Sequence, residues 1–123
     1  MSQQLVEQIN EAIGAHGMWK LRLKTAIRTG QSDITPVAAG CSDRCAFGRW
    51  LEGTDLSPAI KASVPYAVIK RLHADFHRSA GAVLEQALSG RKTEAEAAMG
   101  REFAENTDKL NRALAKWKRE VGS

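Results

Sequence analysis

Five side chains of this 123-residue chain stand apart from ordinary charge and packing: His16, His73, His77, Cys41 and Cys45. His73 and His77 are four residues apart in "HADFH". On a helix that spacing aims both imidazoles from one face, as zinc-binding helices do. Two ligands are not a site. His16 is the third candidate, and Cys45, in "CAFGRW", the fourth. Three neutral imidazoles and one thiolate would fill the four tetrahedral positions of Zn²⁺, and the thiolate would offset part of the buried charge. The other reading of Cys45 is an incidental thiol in a short buried turn, because free cysteine behaves as a small hydrophobe.

These residues must be brought together by helices. Leu5, Ile9, Ala12, His16, Trp19, Leu23 and Ala26 recur at steps of three and four. That stripe predicts an amphipathic helix from about Ser2 to Arg28, with His16 in the middle of its buried face. Tyr66, Ile69, His73, Phe76, Ala80, Val83 and Ala87 form a second stripe, which stops at Ser89-Gly90, and His77 lies beside it. After a very short turn a third stripe begins at Ala95 or Glu96 and carries Met99, Phe103, Asn106, Leu110, Leu114, Trp117 and Val121. So short a turn predicts antiparallel neighbours. A histidine facing a core loses hydration at a polar nitrogen, which is costly without a partner. Three histidines so placed point to a shared partner more than one would.

Between Thr29 and Pro65 the periodicity breaks at Gly30, Pro36, Gly40, Gly48, Gly53 and Pro58, leaving room for short helical turns only. One is predicted to start with Ser42 as N-cap and to carry Arg44 through Leu51. Cys45 would then sit in the first turn, where unpaired N–H groups lower a thiol pKa. Gly48 would let this turn approach a neighbour closely, while Phe47 and Trp50 anchor it. Another turn is predicted at Ser57, with Pro58 at its first helical position. The expected fold is all-α: an antiparallel four-helix bundle with a short, broken second helix, forming a single domain over residues 1–123.

Composition narrows the function. Hydrophobic residues make up 43% and charged residues 26%, the range of a globular chain and not of a disordered one. The net charge is +4, but the basic residues are spread over several segments without interleaved aromatics, which argues against nucleic-acid binding. No stretch approaches the ~18 apolar residues of a membrane span. The start "MSQQLVEQIN" does not read as a signal peptide, so a cytoplasmic location is expected. Thiols in a reducing compartment are more often metal-binding or redox-active than disulfide-bonded. Cys41, four residues before Cys45, is either a spectator or a resolving thiol for an oxidised Cys45. Asp43 and Asp75 are candidate acceptors for an imidazole N–H, although Asp75, two residues from each histidine, is expected to face outward.

Enzyme readings find less support. Di-iron and hemerythrin-like bundles need more histidine and carboxylate ligands, and no Glu-x-x-His occurs. A hydrolytic zinc site needs an open position and a nearby general base, and the core stripes carry no acidic residue. Four protein ligands point instead to a structural or regulatory site. Losing zinc, or oxidising the Cys45 sulfur, would release the short helix that carries it. A metal-free interaction bundle is the remaining alternative.

"HGMWK", "CAFGRW" and "HADFH", in this order, resemble the chemoreceptor zinc-binding (CZB) domain family. The family signature is a histidine closely followed by an aromatic, then Cys-x-hydrophobic-Gly-x-aromatic, then His-x-x-x-His. Here these are His16 with Trp19, then Cys45, Phe47, Gly48 and Trp50, then His73 and His77. The resemblance extends over the chain apart from its final turns. It implies a zinc-binding four-helix-bundle sensory module of bacterial signalling, in chemotaxis or cyclic-di-GMP pathways, often dimeric. It further implies His16, Cys45, His73 and His77 as ligands and a response to zinc or to oxidants such as hypochlorous acid. Such modules usually hang on chemoreceptors or diguanylate cyclases. With no signalling coil or catalytic domain in the sequence, the expectation is a standalone member acting on such a partner in trans, favoured over an excised domain by the native-looking "MSQQ" start.

Overall fold

The computed structural model describes residues 2–122, and every regular element among them is helical. Helix α1 spans Ser2–Thr29, as the first stripe predicts. Ile9, Ala12, His16, Trp19, Leu23 and Ala26 all lie on its buried face. It stops at Gly30, whose φ of 71° lies in the left-handed region that glycine enters without a Cβ penalty.

The broken segment holds more helix than its punctuation suggests. Helix α2 (Pro36–Gly40) is one that the sequence reading missed. Thr35 caps it, its Oγ1 accepting from the Ala38 N–H at 3.1 Å, and Pro36 occupies the first turn. A threonine directly before a proline was the available signal. The predicted cap at Ser42 is incorrect. Ser42–Arg44 form a tight 3₁₀ turn, and Cys45 then adopts an extended backbone (φ −92°, ψ 152°). Helix α3 (Ala46–Glu52) starts only after that, with Cys45 itself as N-cap. Helix α4 (Pro58–Lys61) follows, capped by Ser57 as predicted.

Helix α5 spans Val64–Leu88, with Ser63 accepting from the Tyr66 N–H and Pro65 in its first turn. The chain reverses at Gly90, whose φ is 78°. Helix α6 (Lys92–Ala98) begins a few residues earlier than the stripe suggested. It runs through a π-helical turn, Met99–Phe103, into helix α7 (Ala104–Gly122). Ala95 and Phe103, both buried, are eight residues apart, whereas two α-turns supply about 7.2. The wider π turn absorbs the excess and keeps Phe103 on the same face as Leu110, Leu114 and Trp117.

The core lies where α1, α5 and α7 meet, with α6 also against α5. Phe76, Ile9, Leu23, Ile69, Leu84, Leu110 and Leu114 are fully buried there. The short elements are pinned onto α5. The Tyr66 hydroxyl donates to the Leu51 carbonyl at 2.8 Å, and Lys70 pairs with Glu52 at 2.7 Å, both holding the C-terminal end of α3. Helix α2 rides directly on α5. A Cβ built at Gly81 would stand 2.8 Å from the Pro36 carbonyl oxygen and 2.9 Å from the Gly40 Cα. Those neighbours are backbone, so they cannot swing aside. Gly81→Ala is therefore expected to lower unfolding stability by about 1–3 kcal/mol, read as a lower urea midpoint. An unchanged midpoint would contradict this close packing.

Candidate metal centre

Each long helix contributes what its stripe predicts. His16 comes from the middle of α1, and His73 and His77 from successive turns of α5. All three are at most 2% exposed. Their Nε2 atoms converge: His73 Nε2 lies 3.1 Å from His16 Nε2 and 3.1 Å from His77 Nε2. Cys45 Sγ completes the group, 3.3 Å from His73 Nε2 and 3.8 Å from His16 Nε2. The four donor atoms all lie within 4.8 Å of one another.

One contact shows why these atoms do not satisfy each other. His77 Nδ1 lies 3.0 Å from the Ala39 carbonyl oxygen, an acceptor only, so Nδ1 carries the proton and Nε2 presents a lone pair. His73 Nε2 can offer at most one proton to three neighbouring donor atoms. A tetrahedral ion with Zn–N near 2.0–2.1 Å and Zn–S near 2.3 Å needs ligand–ligand edges of roughly 3.3–3.6 Å. Four of the six edges, at 3.1 to 3.8 Å, bracket that range, and all six lie within 4.8 Å. The residues present fit zinc.

The electrostatics agree. Burial, assisted by the charge that His77 would carry, lowers the pKa of His16 to about 4 against an opposing pull from the Ala12 carbonyl. That carbonyl is one turn back and does not reach Nδ1 at hydrogen-bonding geometry. Burial lowers His73 to about 3, assisted by the charges that His77 and His16 would carry. His77 is lowered by burial against its bond to Ala39. All three imidazoles are thus neutral near pH 7, the form that binds metal. Burial raises the Cys45 thiol instead, opposed by the N–H groups of Gly48 and Phe47 and by Arg49. The depressed thiol expected from the helix start is not found, because desolvation outweighs those donors. Metal binding here must displace the thiol proton.

The surroundings fix these donors in place. Cys45 Sγ accepts from the Gly48 N–H at 3.5 Å, so one sulfur both caps α3 and faces the histidines. Gly48 has no alternative: a Cβ there would lie 1.8 Å from the Ser42 carbonyl oxygen and 3.2 Å from His73 Cε1. The Phe47 ring packs edge-on against His16 and His73, with centroids 5.8 and 5.1 Å apart. Trp50 stacks on Phe47 and reaches Trp117 of α7. Phe76 and Trp19 close the cluster from the sides of His16 and His77.

Neither candidate aspartate is the acceptor, and Asp75 faces away from the cluster as expected. Asp43 is exposed, and Asp75 pairs with Arg78. The acceptor for His77 is the Ala39 carbonyl at the end of α2, one of the carbonyls a helix terminus leaves free. Sequence reasoning missed it because a backbone oxygen has no residue signature. Cys41 is a free thiol, partly buried, at the junction of α2 and the 3₁₀ turn, outside the four-donor cluster.

The shifts give a pH dependence for the metal-free chain. Each histidine has a folded pKa below its unfolded value of about 6.5, so the unfolded chain binds more protons between the two values. Stability contributed by the neutral histidines is present above about pH 6.5 and is lost as pH falls towards about 4. The urea midpoint in a chelator is expected to be lower at pH 5.5 than at pH 7.5. Equal midpoints would show that the imidazoles are not desolvated.

Comparison with known proteins points the same way. No curated protein and no solved structure matches the chain. The chemoreceptor zinc-binding domain family matches over residues 16–84, more than half of the sequence. That span opens on His16 and includes Cys45, His73 and His77. The chain belongs to the chemoreceptor zinc-binding domain family.

Proposed function

We propose that His16, Cys45, His73 and His77 hold one zinc ion and that the chain is a regulatory, non-catalytic sensor domain of signal transduction. The convergence of three imidazole nitrogens and one sulfur in a closed, buried cluster carries this reading. Bound there, zinc would cross-link elements distant in sequence, with the Cys45 thiolate offsetting one of its two charges. All four donors are protein atoms, which leaves no open position for a substrate and sets the domain apart from zinc hydrolases.

In this reading the chain is one four-helix bundle whose second arm is the α2–α4 segment, and the part that responds is α3. Cys45 is both the anionic ligand and the cap of that helix. Removing zinc, or oxidising the sulfur, would disturb the helix start and the Phe47–Trp50 packing together. The change in α3 would then be read by a signalling protein acting in trans, such as a chemoreceptor or a diguanylate cyclase, or by a second copy of the chain. No helix among the described residues is long and apolar enough to cross a membrane. A cytoplasmic role alongside such a partner is part of the proposal.

Two measurements test the metal site. The purified chain is expected to carry one zinc per protomer by elemental analysis. Cys45→Ala should remain helical by circular dichroism but exchange its zinc with a chromophoric chelator at least about tenfold more readily, about 1.4 kcal/mol in affinity. Unchanged retention would remove Cys45 from the ligand set. Chelation of the parent chain should lower its melting temperature and raise the reactivity of Cys45 towards a thiol reagent. A chelator with no effect on either would support the metal-free bundle instead.

A further inference from the structure

On the side of α1 facing α6 and α7, two chambers of about 440 and 360 Å³ adjoin one another. Lys20, Met99 and Ala104 line both, so they form one groove. The π turn builds its far wall, through Met99, Gly100 and Phe103. Such turns are frequent at functional sites.

Two glycines line the groove. A Cβ at Gly17 or at Gly100 would meet nothing within 4 Å, so no neighbour requires either to be glycine. Both lie inside long helical stretches, where glycine is unfavourable relative to alanine.

Charge and polarity define an occupant. The outer chamber is rimmed by Lys20, Lys24, Arg28 and Lys92 around an apolar floor that includes Ile27 and Met99. None of these four cations forms an ion pair among the described residues. Glu96 lines that chamber, and Asp108, which pairs with Arg112, lines the inner one. The inner chamber is lined by His16 and Asn111, and His16 Nδ1 and Asn111 Oδ1 are buried without a hydrogen-bond partner. An apolar floor under a cationic rim is complementary to an amphipathic anion.

We propose that this groove binds an organic anion with an apolar chain. Its carboxylate is held at the rim by Lys20, Lys24, Arg28 and Lys92, and its chain lies over Ile27, Met99 and Phe103. The groove is built by helices and does not depend on the metal, although His16 belongs to both places. A ligand in the inner chamber therefore lies against a member of the metal cluster.

Octanoate is the probe, titrated calorimetrically into the zinc-loaded chain, with octan-1-ol as its uncharged counterpart. Saturable one-to-one binding of octanoate is expected, at least about tenfold tighter than octan-1-ol. Gly100→Leu fills the groove without touching the core and is expected to lose octanoate binding about tenfold or more. It should keep its melting temperature and its zinc. Gly17→Leu gives the same test from the α1 side should Gly100→Leu fail to fold. The double change Lys20→Gln with Lys24→Gln is expected to weaken octanoate and leave octan-1-ol unchanged. The proposal is overturned by absence of saturable binding, by equal binding of acid and alcohol, or by undiminished binding in a folded glycine variant. Zinc content read on the same samples separates failure of the groove from failure of the metal site.

Discussion

Three neutral imidazoles and a thiol converge in the buried centre of the protein, their donor atoms all within 4.8 Å of one another and with no carboxylate among them. Buried nitrogen and sulfur lone pairs facing one another are costly, because desolvation is not repaid by hydrogen bonding. A cation at their centre turns the same arrangement into a set of bonds. The surrounding structure reads as a means of holding these atoms together. α1 brings His16, α5 brings the other two histidines, and the aromatic rings of Trp19, Phe47 and Phe76 pack against them.

The broken segment has the harder task. It must place one sulfur at the end of a seven-residue helix that has little stability of its own. It does so by clamping α3 at both ends. The start is fixed by Cys45 and by the contact of Gly48 with the Ser42 carbonyl and the His73 ring. The end is fixed by Tyr66 and Lys70 of α5. α2 is held by backbone contact between Gly40 and Gly81, which brings the Ala39 carbonyl to His77. The donor cluster and the packing of the short helices therefore support each other.

Helical periodicity carried most of the fold. The stripes through His16 and through His73 locate α1 and α5 and correctly place all three histidines inside. The stripe through Leu110 locates α7 but gave no warning of the π turn, because one surplus residue over two turns is hard to see in a pattern. Residues 30 to 63 were the least legible. There a helix is three to seven residues long, too short for periodicity, and only caps mark it. Ser57-Pro58 was legible as such a cap, Thr35-Pro36 was passed over, and Ser42 was assigned a role that belongs to Cys45.

By itself the sequence determined which atoms can serve as donors and on which helix face each histidine lies, since residue type and the 3.6-residue period fix both locally. Only the tertiary structure decided that the donor atoms meet, that the sulfur caps the helix it anchors, and that Ala39 and neither aspartate orients His77. It also decided that burial raises the Cys45 thiol where the helix start alone would lower it. The reason is common to all four. Distances between helices, desolvation and the exposure of a particular carbonyl are properties of the packed chain, and no local stretch of residues contains them.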